Sequence, residues 1–320
     1  MPLFRRPDGT LLKDLDPIRR MMPYLMPRRN DSVIYHISYV EVAEARAWLR
    51  NYNRNRGTQP RATLFHLLVH ACAKMFYQRL AVNRFVSGGR IYQRKGVWIS
   101  FAAKADLTDD APLATVKLSF PENETFAECV KRITDAVNEG RGGRNNRVDR
   151  EVRFLTKLPG PLLRTIIAAG EWLDRWNLLP ASMIDPDPMY TSMFLANLGS
   201  LNIDSAYHHL YEYGTCGVFG AVGTVKKITR MDRAERQHTC DVLQINWTLD
   251  ERINDAFYYH HSMAMVRQMN REGFANCSNI GECEAACPKQ IKLEVIALNN
   301  ADYIKAAFTE RPETVSGGVG

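Results

Sequence analysis

The chain has 320 residues, 45% of them hydrophobic and 24% charged, which is ordinary for a soluble globular protein of one large domain or about two. The formal net charge of +7 favours weak binding of acidic ligands such as coenzyme phosphates, but the basic residues are dispersed, so a nucleic-acid-binding protein is disfavoured. The N-terminus lacks a signal-peptide core and no apolar run of about 18 residues occurs, so we expect a cytoplasmic protein without a transmembrane segment.

The cysteines point to a reducing compartment. Of the seven, four are scattered along the chain: Cys72, Cys129, Cys216 and Cys240. An odd number without regular spacing argues against a disulfide framework and for the cytosol. The other three lie together near the C-terminus.

The first part of the chain predicts a mixture of helices and strands. Residues 1–30 are rich in proline, methionine and arginine and predict an arm rather than a packed element. In residues 33–42, apolar and polar side chains alternate and several are β-branched, which predicts a strand. Two helices are predicted after it, one over 44–55 that ends before Gly57 and a strongly apolar, mostly buried one over 62–80.

The middle of the chain continues this mixture. Residues 84–106 predict two strands joined by a turn at Gly88-Gly89. Residues 125–138 predict an amphipathic helix, and 141–150 a polar, basic loop.

A helix predicted over 161–179 has one polar row, while its remaining faces carry Leu, Ile and Trp. A wide apolar surface of this kind packs on a core, on a partner or on a bilayer surface. Packing within the same chain is favoured among these alternatives.

Three further strands are predicted over 189–204, 215–230 and 239–250, and residues 251–271 predict a loop that leads into a helix. Strands and helices therefore mix without strict alternation. We expect an α+β fold with a mixed sheet and helices packed on one face.

Three segments together carry a resemblance to a known family. They are the helix 62–80 followed by LAVNRF, the strand FLANLGSLNID with GVFGAVG after it, and LQINWTLDERINDAF. In order and spacing they resemble the catalytic domain of the 2-oxoacid dehydrogenase acyltransferases, whose fold is that of chloramphenicol acetyltransferase. A stand-alone branch with Asp-Glu-Arg in the third segment is more similar still.

The resemblance covers roughly residues 30 to 270 and implies three regions. An N-terminal arm occupies 1–30, an acyltransferase-like domain 31–271 and a cysteine-containing tail 272–320. The sequence contains neither a lipoyl domain nor a peripheral-subunit-binding segment, so a complete subunit of a dehydrogenase complex is not expected.

The resemblance implies a thiol chemistry at a site shared between subunits. In the family, a histidine of the third segment takes the proton from the thiol of coenzyme A or dihydrolipoamide, an aspartate there holds an arginine, and a Ser or Thr of the second segment stabilises the oxyanion. The two groups meet across a subunit boundary, so a homotrimer or a multiple of one is expected. In this chain the base position is Glu251 and the hydroxyl position is Ala196, whereas Arg252 and Asp255 match the family and Ala256 replaces its glycine.

The candidate site therefore lacks the family's histidine and hydroxyl, and other residues would have to perform their roles. Glu251 and Asp255 would act as acid and base, Asn197 would donate to the oxyanion, and Arg252 and Ser200 would contact the acyl-CoA substrate. Because a free Glu has a pKa about 2.2 units below that of a free His, removing the same proton costs roughly 3 kcal/mol more unless burial compensates. The alternative interpretation makes Glu251 and Asp255 ordinary acids that flank Arg252 in an ion pair.

The histidines are weaker candidates. The pairs His208 and His209, and His260 and His261, fall within the matched region but are typical of packing or surface positions. His66 and His70 lie one helical turn apart, which suits a metal, but no third ligand is apparent and a structural role is favoured. These two are accordingly treated as structural.

The tail carries a second resemblance. Cys277, Cys283 and Cys287, with Pro288 after the last, resemble the C-terminal end of the iron–sulfur subunit of succinate dehydrogenase or fumarate reductase. In that family the first two ligate a three-iron cluster and the third a neighbouring four-iron cluster. Three thiolates here are compatible with an iron–sulfur cluster with one open iron, with zinc and a fourth ligand, with completion by a second protein, or with a metal-free remnant.

Three functions follow from these patterns. The preferred one is a CoA-dependent acyltransferase with an altered catalytic site, transferring an acyl group to or from a thiol. The alternatives are a catalytically inactive trimeric scaffold or regulator, and an iron–sulfur electron-transfer or assembly factor associated with a respiratory dehydrogenase.

Overall fold

A computed structural model describes residues 5–104, 113–141, 156–231 and 237–272, all of which lie in one compact unit, Met1–Asn276. The strands, in chain order, are β1 Gly9–Leu11, β2 Val33–Glu41, β3 Arg84–Ser87, β4 Arg90–Arg94, β5 Val97–Lys104, β6 Leu113–Phe120, β7 Met193–Asn197, β8 Val218–Met231 and β9 Gln237–Asp250. The helices are α1 Pro17–Leu25, α2 Ala43–Arg54, α3 Leu64–Gln78, α4 Phe126–Arg141, α5 Gly160–Arg175, α6 Ala181–Ile184 and α7 Ala256–Glu272.

The main sheet has six strands in the order β2-β9-β8-β7-β5-β6. Strand β7 runs parallel to both of its neighbours, β5 and β8, and the remaining pairs are antiparallel. A smaller sheet has the order β1-β4-β3. The predicted α+β fold with a mixed sheet is confirmed.

The core lies between the main sheet and helices α2, α3, α4 and α7. Alternate residues of β9 point to opposite faces, so Ile245, Trp247 and Leu249 face the helices and are buried with the apolar side of α3. On the other face, the segment 202–217 runs across the sheet, and its Leu210 packs on Phe219 and Ala221 of β8. The four cysteines in the described ranges are free, and three of them are buried.

Helices α2, α3 and α4 and strands β2, β8 and β9 follow the predicted elements closely, but 84–106 forms three strands rather than two. The reason is a second turn, where Gly96 adopts a φ of +71°, a conformation that favours glycine. The segment 189–204 is a strand only over Met193–Asn197 and then becomes a 3-10 turn.

The two ends of the N-terminal segment are packed, around β1 and at Arg29, so the expectation of an arm is wrong there, whereas helix α1 between them is largely exposed. Strand β1 pairs with β4, and Arg6 is only 2% exposed. The Arg6 guanidinium forms ion pairs with Asp8 at 2.8 Å and Asp174 at 2.7 Å and donates to Ser87 Oγ at 2.8 Å. Because Asp174 lies 168 positions away, local sequence patterns gave no sign of this packing.

Helix α5 has no buried residue, so the favoured expectation of packing within the chain is wrong for most of its length. Its Trp172 is 57% exposed, and Leu162 and Ile167 are nearly half exposed. Among the described residues, the C-terminal end is anchored, where Leu173 packs against a small cluster that includes Tyr190. Within the described ranges, no helix is both long and apolar enough to cross a bilayer.

Replacing Arg6 tests whether the N-terminal segment stabilises the domain. We expect Arg6→Met to lower the free energy of unfolding by at least about 3 kcal/mol, because it leaves two largely buried carboxylates without their main partner. Urea denaturation followed by circular dichroism measures the effect. The neighbouring, exposed Arg5→Met is the matched control and should change stability by no more than about 0.5 kcal/mol. Equal effects of the two substitutions would contradict the assignment.

Candidate functional site

A buried carboxylate ends strand β9. Asp250 is 1% exposed and accepts two hydrogen bonds from the Arg252 guanidinium, from Nε at 2.9 Å and from Nη2 at 2.8 Å. It also accepts from Ser32 Oγ at 3.2 Å and from the Arg252 backbone N–H at 3.1 Å. These contacts close the chain into a tight turn directly after the strand.

A second buried arginine ties this turn to other parts of the chain. Arg29 Nε lies 3.8 Å from Asp250, and its Nη2 donates to the carbonyl of Gly214 at 2.9 Å. Burial lowers the pKa of Arg29, an effect that the charge of Asp250 opposes. Since Glu212 accepts from the Arg29 backbone N–H at 2.9 Å, the N-terminal segment, the strand end and the 211–214 loop form one network.

Glu251, the predicted base, is half-buried in this turn. Its backbone N–H donates to the carbonyl of Ser32 at 2.8 Å, and its carbonyl accepts from Arg19 Nη1 at 2.6 Å. Among the described residues, its carboxylate has no hydrogen bond or ion pair. The backbone of Glu251 is therefore fixed on both sides while the acid group is uncommitted.

The other residues of the turn are structural in this chain. Arg252, predicted to contact coenzyme A, is 4% exposed and occupied by Asp250 and by the carbonyl of Pro27 at 3.2 Å. The alternative ion pair of Arg252 with Glu251 and Asp255 is wrong within the described residues, because its acidic partner is Asp250. Asp255 has a side chain that is 61% exposed, caps helix α7 by accepting from the Tyr258 N–H at 2.8 Å, and lies 3.6 Å from Arg19.

The predicted oxyanion residues lie at the end of β7. Ala196 is half-buried between its partners on β5 and β8, and Asn197 begins the 3-10 turn that follows. Ser200 Oγ donates to the Asn197 carbonyl at 2.7 Å, so its one proton is already used. This turn lies close against β8, since a Cβ on Gly199 would clash with the carbonyl oxygen of Gly223.

The two halves of the predicted site are far apart within one chain. In the strand register, Ala196 is paired with Ala221 of β8, and Ala221 is paired with Asn246 of β9. Glu251 follows Asn246 by five residues, or about 17 Å at 3.4 Å per residue, and two strand spacings of about 4.8 Å separate β7 from β9. The separation of Ala196 and Glu251 is thus about 20 Å, and a site that uses both groups needs a second copy of the chain.

A polar cleft of about 390 Å³ opens beside the buried network. It lies between the N-terminal segment, the β3–β4 turn, the end of α5 and the 212–214 loop. Charged residues on its walls are Arg29, Glu171, Asp174, Arg175, Glu212 and Arg252. The size falls within the range of ligand sites, but the mixed charges differ from the largely apolar walls that are usual there.

Sequence reasoning did not find Arg29, Ser32 or the role of Asp250. Of the three, Asp250 alone carried a local signal, as an acid that follows the alternating apolar residues Ile245, Trp247 and Leu249 at the end of the strand. Arg29 lies within a run of arginine, proline and asparagine that has no periodicity, so nothing local marked it as buried.

The histidines have structural contacts. His66 Nδ1 accepts from the Thr63 backbone N–H at 3.1 Å in a capping box at the start of α3, and burial lowers its pKa to about 4. His70 is buried against the ring of Phe126. His208 stacks on the ring of Phe219, with centroids 3.9 Å apart.

The remaining histidine candidates pack in the same manner. His209 stacks on its neighbour His208. His260 packs edge-on against His36 of β2, and burial together with the charge of His260 lowers the pKa of His36. His261 contacts the carbonyl of Phe257 through Nδ1 at 2.9 Å, one helical turn away. Of these four histidines, His208 and His261 are half-buried and His209 and His260 are exposed, which fits the packing or surface positions expected from the sequence.

Cys277, Cys283 and Cys287 lie outside the described residues. The iron–sulfur or zinc site predicted for them stays a prediction.

Solved structures with the same fold are acyltransferase cores. A probable dihydrolipoamide acetyltransferase from Listeria monocytogenes matches with a TM-score of 0.55 and 11% identity, over 83% of this chain and 95% of its own. The cubic core of a pyruvate dehydrogenase multienzyme complex matches with a TM-score of 0.55 and 12% identity, over 82% and 93%. The dihydrolipoamide acetyltransferase of Azotobacter vinelandii, studied for the role of a serine, a histidine and an asparagine in its catalytic mechanism, gives 0.54 and 12%, over 82% and 93%. No protein-family model and no curated protein matches the sequence. At these identities the likeness establishes the fold.

Removing the charge of Asp250 tests the buried network. We expect Asp250→Asn to lower the free energy of unfolding by about 3–5 kcal/mol, because Arg252 and Arg29 are then left buried without a compensating charge. Chemical denaturation measures the loss. Glu251→Gln, the same change one residue later, is the matched control and should be nearly neutral because that carboxylate has no partner among the described residues. A neutral Asp250→Asn would show that the network contributes little.

The pH dependence of stability tests the environment of His66. Its pKa is about 4 in the folded chain and about 6.5 when unfolded, so the unfolded chain takes up the proton first and stability falls as the pH drops from 6.5 towards 4. Between pH 7 and pH 5 this loss amounts to up to about 2 kcal/mol. His66→Gln keeps an acceptor for the Thr63 N–H but cannot titrate, so its stability should fall less over that interval. Parallel stability curves for the two proteins would refute the assignment.

Proposed function

We propose that the chain is an acyltransferase of the dihydrolipoamide acetyltransferase type, in which Glu251 replaces histidine as the base that deprotonates a thiol. The observation that carries this proposal is the state of Glu251, whose backbone is held by Ser32 and Arg19 while its carboxylate has no partner among the described residues. The neighbouring Asp250, by contrast, is paired with Arg252. The fold shared with acyltransferase cores supports the class of reaction.

The reaction balances with the residues at hand. The Glu251 carboxylate takes the proton of the incoming thiol, of coenzyme A or dihydrolipoamide, and the thiolate attacks the carbonyl carbon of the acyl thioester. The tetrahedral intermediate then collapses, the bond to the departing sulfur breaks, and Glu251 returns the proton to that sulfur. Because carboxylates are in general weaker bases than imidazoles, the first step is expected to be slower than with a histidine in this position.

Asn197 is the better candidate for the oxyanion donor. Its side-chain amide has no hydrogen-bond partner among the described residues, whereas the Ser200 hydroxyl already donates its proton to the Asn197 carbonyl. A lost oxyanion donor costs about 2.7–4 kcal/mol, so an amide in place of the missing hydroxyl at Ala196 decides whether the site is active.

The site is proposed to form between copies of the chain. The separation of about 20 Å between Ala196 and Glu251 supports a site in which one copy supplies Glu251 and its neighbour supplies Asn197, and the resemblance to the acyltransferase family implies that three copies assemble. In this arrangement Arg252 positions Glu251 through Asp250 rather than binding coenzyme A itself. Sedimentation at several concentrations measures the assembly.

The experiment measures acyl transfer from acetyl-CoA to dihydrolipoamide. The rate is monitored through the amount of free coenzyme A that is released. We expect Glu251→Gln to lower kcat by about 10²–10⁴-fold and Asn197→Ala by about 10²–10³-fold, while the exposed Asp255→Asn changes it little. Glu251→His should move the acid limb of the pH–rate profile upward, towards the pKa of an imidazole. Transfer that is unaffected by Glu251→Gln would overturn the proposed mechanism.

A catalytically inactive trimeric scaffold is the second candidate, and the missing hydroxyl at Ala196 favours it. A trimer that binds coenzyme A in calorimetry but transfers no acyl group would support this alternative. The electron-transfer or assembly role beside a respiratory dehydrogenase depends on the tail and stays a prediction, which iron analysis after anaerobic purification tests.

A further inference from the structure

A second group of reactive side chains lies away from the proposed acyl-transfer site. Glu41 at the end of β2 and His238 and Cys240 near the start of β9 present their ligand atoms within 4.8 Å of one another. Glu41 and Cys240 are half-buried, and His238 is exposed. The group combines a carboxylate, an imidazole and a thiol, which are the three kinds of side chain that bind zinc.

The strand register explains why these three converge. Glu41 is directly opposite Val242, and Cys240 and His238 follow on β9 at intervals of two residues. Because side chains two apart on a strand share a face, all three point to the same side of the sheet. Asp241 points to the other side, where it pairs with Arg46 at 2.6 Å, and so does not compete for the group.

The surroundings favour a divalent cation over another ligand. A thiolate and a carboxylate supply two negative charges, which a doubly charged ion neutralises while the imidazole stays neutral. Among the described residues, the Cys240 thiol donates to the carbonyl of Ile228 at a long distance of 3.6 Å, a contact that a metal bond would readily replace. Mixed sulfur, nitrogen and oxygen ligands suit zinc better than magnesium or calcium, which take oxygen alone.

We propose that Glu41, His238 and Cys240 form a zinc site with three protein ligands, independent of acyl transfer. Zinc–ligand bonds of about 2.0–2.3 Å bring tetrahedral ligand atoms to within roughly 3.5 Å of one another, so the three side chains close by about 1 Å when the ion binds. Three ligands leave one coordination position for water or another group. Cys240 loses its proton on binding, so affinity rises with pH.

The test uses the full chain carrying Cys277→Ser, Cys283→Ser and Cys287→Ser, because the tail thiols are themselves potential metal ligands. Cobalt(II) is the probe, since a cobalt–thiolate bond gives a charge-transfer absorption band, and zinc should displace it. We expect one cobalt ion per chain and a band that Cys240→Ser abolishes. His238→Gln and Glu41→Gln should each weaken binding by at least about tenfold, since even outer partners of metal ligands contribute about 10–100-fold.

Thr239→Ala is the matched control, because Thr239 lies between the two β9 ligands and points to the opposite face. It should leave cobalt binding unchanged, and circular dichroism verifies that every variant is folded. The proposal is overturned if no cobalt–thiolate band forms, if the band survives Cys240→Ser, or if both Gln substitutions leave the affinity unchanged.

Discussion

The carboxylate of Asp250 is the point on which the rest of the domain depends. Transferring it from water into the protein interior is costly, and two arginines from different parts of the chain compensate the cost. Arg252 provides the close hydrogen bonds, and Arg29 adds a second positive charge at 3.8 Å. The strand end, the N-terminal segment and the 211–214 loop must therefore fold together. If one of them detached, a buried charge would remain in the interior without its compensating partner.

In this network, the residues that fix the turn differ from the residue proposed as the base, whereas the sequence pattern had assigned all of them to the candidate site. Arg252 and Asp250 fix the turn, while Glu251 between them is free of structural duty among the described residues. A side chain held by its backbone but not by its own atoms is suited to proton transfer, since protonation breaks no packing contact.

Local patterns predicted most of the elements but little of their packing. The periodicity of α3 and α4 and the alternation of β2 and β9 were sufficient, because burial of one face determines those patterns. Strand β6 also carries an alternation, with Val116 and Phe120 buried, that the sequence reading passed over.

The packing of Arg6 against Asp174 and of Arg29 against Gly214 could not be predicted, since these partners lie more than 160 residues away and buried arginines are rare. Likewise, the motif residues of the site were found by resemblance, but their separation of about 20 Å follows only from the strand order. The exposure of α5 depends on what surrounds it in three dimensions, which an amphipathic pattern does not specify.

The long β8–β9 hairpin has a consequence for how the domain opens. Strand β7 pairs with β8 only as far as Val222, and β2 pairs with β9 only from Val242 onward, so within the described part of the chain the far end of the hairpin is a two-stranded ribbon. Two strands alone are marginal in water. Amide hydrogens from Lys226 to Met231 and from Gln237 to Asp241 should thus exchange with deuterium through local fraying, while those of the six-stranded region wait for global unfolding. The ribbon is therefore expected to open locally at a lower free energy than the rest of the same sheet.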